Sequence, residues 1–284
     1  SRYLYDVGGK ATHVSIILSQ LGIDNIATGF IGTEKGELLT ELLEKYNVKS
    51  EFIAQEGKTR ESFILVDNSG KGSFMITEKG FSISEESYEK ITGYMKEKLK
   101  KGDVAVFAGS PPPGIDEEKY RKLLQIANEK GTRLFVDCSG KFLKTAILEN
   151  PFLIKPNKDE FEEFISKTGI EDESEYIPYM EKLLDSGVKN VLLSLGKDGS
   201  MLAMESREIY RIYPPKIKEV NDTGAGDSFV GGVVAGIAKN RDLLDAVKSA
   251  TAISASKVAS GMSSGFNNEE VKEFLKEIKI KKLK

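Results

Sequence analysis

The stretch Val220-Asn221-Asp222-Thr223-Gly224-Ala225-Gly226-Asp227-Ser228-Phe229-Val230-Gly231-Gly232 constrains this chain more than any other. It reads as a strand end running into a helix. Gly224 and Gly226 remove side chains where backbone must come close to something, and Ala225 between them is nearly as small. The first N–H groups of a helix lack intrahelical acceptors, and the helix dipole favours negative charge there, so the junction is a ready anion site. Asp227 sits just inside it. A carboxylate beside an anion hole suits one task, accepting a proton from a hydroxyl that attacks the phosphoryl group held in the hole. Spacing alone also fits a glycine-rich turn with a solvated Asp227. Ser228, Gly231, Gly232 and Gly236 would let the helix pack against neighbouring backbone. The Rossmann spacing is excluded, because Phe229 stands three residues after Gly226. No G-x-x-x-x-G-K-[ST] occurs; Gly57-Lys58-Thr59 has Phe52 where the first Gly should be.

With 284 residues the chain can bury a large core as one α/β domain or two smaller ones. The formal net charge of -3 argues against a general nucleic-acid binder. One cysteine, Cys138, excludes a disulfide framework or cysteine zinc site, and one histidine disfavours a His-ligated metal. No apolar run reaches membrane length and no secretory signal is visible, so a reducing, cytoplasmic setting with no membrane partner is expected.

Along the chain, Gly8-Gly9-Lys10 turns into an apolar-periodic run, Val14, Ile17, Leu18 and Leu21, stopped by Gly22. Ile26 to Gly32 reads as a buried strand, and Gly36 to Tyr46 as an amphipathic helix. From Phe52 to Phe81 the pattern becomes strand, turn, strand, with the turn at Asn68 to Gly72. Such a β-excursion makes a lid, an interface or a simple hairpin extension. Helices are predicted over Ser84–Lys100 and Asp116–Lys130. Val104 to Ala108, Leu134 to Asp137, Phe152 to Ile154 and Val191 to Leu195 read as strands buried on both faces. Each ends in small or polar residues, the construction of a binding crevice at strand carboxyl ends. Ser200 to Met204 completes a hairpin. The basic tail Lys279 to Lys284 fits a contact patch or, better, a frayed helix end.

Asn157 and Glu160, three apart at a helix start, first fit an N-cap with a capping box. An amide and a carboxylate together also suit Mg²⁺ held mainly through water. Arg60 alone reads as a solvated strand residue, although its fork matches phosphate. Ser110 fits a turn cap. His13 reads as a structural hydrogen-bonder rather than an acid or base, and Cys138 as inert.

Taken together, Gly8-Gly9-Lys10, Gly109-Ser110 through Gly114, Asp137 through Gly140, Lys155-Pro156-Asn157 with Glu160, Ser194 through Gly199, and Val220 through Gly232 fall in order over most of the chain. This set resembles the PfkB (ribokinase-like) carbohydrate kinase family, within it the 1-phosphofructokinase and tagatose-6-phosphate kinase branch. The resemblance implies an α/β fold, a doubly wound, mostly parallel sheet flanked by helices. Residues 1–284 would form a single domain, with a small β-sheet lid at about 52–82 plus the N-terminal residues. It implies ATP and Mg²⁺. Asp227 would be the catalytic base, and Gly224, Ala225 and Gly226 the anion hole. Asn157 and Glu160 would organise phosphates and metal, Glu160 through water. Ser194, Gly196 and Gly199 would lie near the nucleotide, and Gly9, Lys10, His13, Arg60 and Ser110 near the sugar or sugar phosphate. The family pattern Gly-Gly-Lys-Gly-x-Asn reads Gly8 to His13 here, so His13 replaces a sugar-contacting Asn. The usual Ser-Gly-Ser of the proline loop is Ala108-Gly109-Ser110. The family's first strand, with an Asp that contacts sugar hydroxyls, would lie before Ser1.

The activity expected is ATP-dependent phosphorylation of a sugar phosphate. A kinase of an unphosphorylated sugar or nucleoside and a silent sugar- or nucleotide-binding protein are the alternatives. An exposed lid face would need cover, which a homodimer through the lid supplies.

Overall fold

The structure, a computed structural model, describes residues 5–67, 72–260 and 264–284. Its elements in order are α1 (Lys10–Gln20), β1 (Ile26–Glu34), α2 (Gly36–Lys45), β2 (Lys49–Lys58), β3 (Ser62–Asp67), β4 (Gly72–Thr77), α3 (Glu85–Lys98), β5 (Val104–Ala108), α4 (Glu117–Glu129) and β6 (Arg133–Asp137). There follow α5 (Gly140–Ile147), β7 (Leu153–Ile154), α6 (Lys158–Phe164), α7 (Ile177–Asp185), β8 (Val191–Ser194), β9 (Ser200–Ala203), β10 (Ile209–Tyr213), α8 (Ala225–Ala238), α9 (Leu243–Ala259), α10 (Asn268–Glu277) and β11 (Lys279–Lys282).

The main sheet has seven strands in the order β11-β10-β9-β8-β7-β6-β5. Neighbours from β5 to β8 run parallel, and β8 to β11 pair antiparallel. Side chains on a strand alternate between faces, and here both faces are apolar. Leu134, Val136, Ile154, Val191, Leu193 and Met201 join the core under α3 to α7. Phe135, Leu153, Leu192, Leu202 and Ile212 join the core under α1, α8 and α9. Continuous apolar runs are what a sheet covered on both faces requires. Each fully buried Leu or Ile contributes about 1.5–3 kcal/mol relative to exposure.

Two small sheets stand apart. β1 and β2 pair in parallel through the crossover helix α2, from Ile26↔Lys49 onward. β3 and β4 form an antiparallel hairpin; its expected turn residues, 68–71, lie outside the described residues. Ile26 to Gly32 was expected as a buried strand; it pairs in parallel with β2, and only Ala27, Ile31 and Gly32 of it are buried. An apolar run shows that a strand is buried on one side, not which partner it takes. The tail also departs from expectation: Lys279–Lys282 is an antiparallel edge strand on β10, not a frayed helix end. Lysines along an exposed edge discourage further pairing. Among the described residues no helix is long and apolar enough to cross a membrane.

Candidate active site

Helix α8 begins at Gly224, whose φ of 79° is left-handed backbone that a side chain would strain. No loop strand precedes it among the described residues; the amides of Val220 and Asn221 instead donate to the Val258 carbonyl. Gly224 offers no side-chain cap; of the expected hole, the Ala225 N–H is taken by Asp222 O at 3.0 Å, while the N–H groups of Gly226 and, one residue on, Asp227 find no acceptor among the described residues. Gly226 is exposed while Asp227 is 7% exposed, so open donors lie beside a buried carboxylate. The helix keeps its place by packing. A Cβ on Gly231 would fall 2.7 Å from Ile17, one on Gly232 2.7 Å from Ala250, and one on Gly236 would collide with Ala246. The glycine stripe thus seats α8 between α1 and α9.

The carboxyl ends of the central strands bring charges to this helix start. Asp137 closes β6 and is 2% exposed. Its Oδ1 lies 3.2 Å from Lys155 Nζ and 3.5 Å from Lys10 Nζ, while its buried Oδ2 has no hydrogen-bond partner among the described residues. Lys155, after β7, is itself 4% exposed, and its ammonium lies 3.8 Å from where a Cβ on Gly226 would be. Lys10 also reaches Glu160 Oε1 at 3.8 Å. Burial pulls the Lys10 amine down, but Asp137, Glu160 and Asp227 outweigh it and hold its pKa above the usual value. Two ammonium groups beside open helix donors suit a highly charged anion.

Asn157 and Glu160 form a complete capping box on α6: Glu160 N donates to Asn157 Oδ1 at 2.8 Å, and Asn157 N to Glu160 Oε2 at 2.9 Å. Asn157 also bridges Ser194 at the end of β8. Gly196 and Gly199 flank the tight turn that follows, closed by Leu195 N to Gly199 O at 2.8 Å. Arg211, 2% exposed, braces that turn by donating to Asp198 O at 2.6 Å and to Glu173. His13, 7% exposed on α1, places Nδ1 2.7 Å from Asp227 Oδ2. Lys10, His13, Asn157, Glu160, Ser194 and the Gly224–Asp227 loop therefore gather around one crevice. Gly9, with φ 108°, caps α1 beside it. Ser110 is exposed just past β5, next to Gly109, whose Cβ would touch Lys10 at 3.7 Å. Arg60 is exposed between β2 and β3, with no ion pair among the described residues; no contact joins it to the cluster.

Three charged residues of the site were not singled out from sequence. Asp137 and Lys155 stood inside the quoted motifs, and their strand-end positions were the available signal. Lys257 had no signal: it lies in α9, is 0% exposed, and donates to Asn221 O at 2.7 Å beneath the α8 start. Burial lowers its pKa to about 8, against the carboxylates of Asp222 and Asp227. Cys138 is buried and burial pushes its thiol up to about 12, an inert state.

Among the described residues no group of three or more His, Cys, Asp or Glu side chains could hold a metal ion directly. The orphaned Asp137 Oδ2 and Glu160 Oε1, which stands outside the capping box and faces Lys10 at 3.8 Å, fit a cation that keeps much of its water, as Mg²⁺ does.

The pfkB family carbohydrate kinase model matches residues 1–269. Tagatose-6-phosphate kinase of Staphylococcus epidermidis is 29% identical over 275 residues, covering 96% of this chain and 88% of the relative. 1-Phosphofructokinase of Bacillus subtilis is 33% identical over 291 residues, covering 100% and 92%. Among solved structures, phosphofructokinase-2 from Escherichia coli in complex with substrates and products superposes with a TM-score of 0.91 at 25% identity, over 97% of this chain and 89% of that one.

Proposed function

The chain belongs to the pfkB family of carbohydrate kinases, and from that premise we propose that it transfers the γ-phosphoryl group of ATP to a hydroxyl of a sugar phosphate, tagatose 6-phosphate or fructose 1-phosphate. The observation that carries this reading is the uncapped start of α8, with a buried carboxylate at its third residue and Lys155 across from it. In this reading Asp227 takes the hydroxyl proton as the new O–P bond forms. The Gly226 and Asp227 N–H groups and Lys155 stabilise charge on the transferring group, where most of the rate enhancement lies. Ser194, Gly196 and Gly199 line the nucleotide side, and the Asn157–Glu160 box orients the phosphates. Mg²⁺, held through water by Glu160 and Asp137, would neutralise phosphate charge. Gly9, Lys10 and Ser110 face the sugar, His13 stands behind Asp227 with both ring nitrogens engaged, and Arg60, with no ion pair among the described residues, supplies a guanidinium for the phosphate. Sugar phosphates are the named substrates of the two curated relatives.

The lid reading extends to assembly. Phe63 and Ile76 are cross-strand partners on β3–β4 and are 48% and 50% exposed. A second copy laid against this face would cover them, and sedimentation at increasing concentration reads that dimer.

The deciding experiment is ATP turnover with Mg²⁺ against tagatose 6-phosphate, fructose 1-phosphate, fructose 6-phosphate, fructose, ribose and a nucleoside. Turnover with one phosphorylated ketose supports the proposal and settles the sugar. There, Arg60→Ala raises KM about tenfold or more with little change in kcat. Turnover with unphosphorylated acceptors alone overturns the role of Arg60. Silence with all of them leaves a sugar- or nucleotide-binding protein.

A further inference from the structure

We propose that His13 is a positioning residue for Asp227: a protonated imidazole that grips Oδ2 of the carboxylate through Nδ1 and leaves Oδ1 to meet the acceptor hydroxyl, so that turnover fails as the ring loses its proton. The proposal rests on the kinase reading above for the word turnover, and on geometry for the rest.

Both ring nitrogens of His13 are engaged. Nε2 lies 2.8 Å from the Val7 carbonyl, and Nδ1 lies 2.7 Å from Asp227 Oδ2. A carbonyl oxygen only accepts, so Nε2 carries a hydrogen. If Nδ1 carried none, its lone pair would face a carboxylate oxygen at 2.7 Å with nothing between them. A proton therefore belongs to the Nδ1–Oδ2 contact, and with it the ring is an imidazolium. Burial works against that charge, but the hydrogen bond and charge of Asp227, the Val7 carbonyl and Asp6 outweigh it and raise the His13 pKa above 6.5.

The ring is held from behind. Val7 N donates to Asp6 Oδ1 at 2.8 Å, and the Tyr46 hydroxyl donates to the same oxygen at 3.0 Å. This strut runs from the end of α2 through Asp6 and Val7 to the ring and then to Asp227. The other charges facing the pair are Lys10 from α1, which feels Asp137, Glu160 and Asp227, and Lys257 from α9, which feels Asp222 and Asp227. The two ammonium groups oppose protonation of the ring, and the carboxylates of Asp227 and Asp6 favour it.

The proton balance assigns the ring no transfer. The acceptor O–H bond breaks and its proton passes to Asp227 Oδ1. The O–P bond forms as the bond to the ADP oxygen breaks. His13 keeps both its hydrogens throughout, and Asp227 returns its proton to water with product release. When the ring is deprotonated, Nδ1 and Oδ2 repel, and Asp227 loses the contact that orients it.

The chain contains one histidine, so its ring can be read without assignment. In protein labelled with ¹⁵N-histidine, two-bond ¹H–¹⁵N spectra across pH should show an imidazolium at pH 7, with its pKa above that of free histidine. In Asp227→Asn the pKa should fall by about one unit or more. A neutral ring in the wild type at pH 7, or an unmoved pKa in Asp227→Asn, would overturn the proposal without touching the kinase reading. In turnover, wild-type kcat should fall above the measured pKa by about tenfold per pH unit. In His13→Asn, whose amide offers a donor that does not titrate, that limb should vanish, whatever the absolute rate. His13→Gln serves if the first variant fails to fold. An alkaline limb that persists in both would reduce His13 to a structural residue. Silence with every acceptor would remove the kinase reading and this role together, leaving the spectra as a statement about the pair alone.

Discussion

Helices α6 and α8 begin at the same crevice and treat their first N–H groups in opposite ways. α6 closes its own end: Asn157 and Glu160 exchange hydrogen bonds of 2.8 and 2.9 Å. α8 starts at a left-handed glycine with no side-chain cap. Both carry an acid in the first turn, so the acid alone does not distinguish them. The difference lies in what each helix does with its orphan donors. α6 is seven residues long and packs Phe161 alone fully into the core, so it depends on its cap. α8 runs fourteen residues with eleven of them buried, so packing holds it and its donors stay available to an anion. In the proposed reading the capped start of α6 is a joint and the uncapped start of α8 is the site.

The largest expected effect tests the open end. Asp227→Ala should lower kcat by about 10²–10⁴ while nucleotide affinity stays close to wild type. Normal turnover would remove the carboxylate from the reaction.

Next, Gly226→Ala separates fold from site. The new methyl would meet only the Lys155 ammonium, at 3.8 Å. Thermal stability should hold or rise by up to about 1 kcal/mol, since alanine is the better helix former. Yet kcat should fall about tenfold or more, because the methyl crowds the anion's place. An unchanged kcat would place the transferred group elsewhere.

The closed end should respond the other way round. Asn157→Ala should lose about 1 kcal/mol of stability, and Asn157→Asp, which keeps an N-cap acceptor, much less. Unfolding in urea measures both. If Asn157→Asp matches wild-type stability but loses kcat, the amide has work at the phosphates that its cap does not explain.

The last test is a slope with pH, beneath the open end. The Lys257 amine has its pKa lowered from 10.5 to about 8 in the folded chain. Between those values the unfolded chain binds the extra proton, so stability rises with pH. Below the lower value both states are protonated and the term is flat. The stability of wild type minus that of Lys257→Met should therefore climb from pH 8 towards pH 10.5. A flat difference would mean that the amine is solvated.

Much of this arrangement was readable from residue order. Val191–Ser194 is a continuous apolar run and became a central strand, because a run with no polar face must be covered twice; Val104–Ala108 reads the same but forms the edge of the sheet and is mostly half-buried, since sheet order is not a local property. Asn157 and Glu160 showed their capping box by spacing, since an N-cap and its third residue are local neighbours. The partner of Ile26–Gly32 was not readable, because strand pairing is a long-range choice with no period of its own. Lys279–Lys282 looked helical by composition, and only the free edge of β10 made it a strand.

Sequence alone determined the local chemistry: glycines where α8 starts and packs, Asp227 in its first turn, and strand ends made of small and polar residues. These depend on backbone geometry within a few neighbours. Tertiary structure alone decided the company those groups keep. Lys155 and Lys10 converge on Asp137, His13 turns toward Asp227 from 214 positions away, and Lys257 closes beneath the loop. Charges interact through space, and the sheet order that sets those distances is written in no single stretch of the chain.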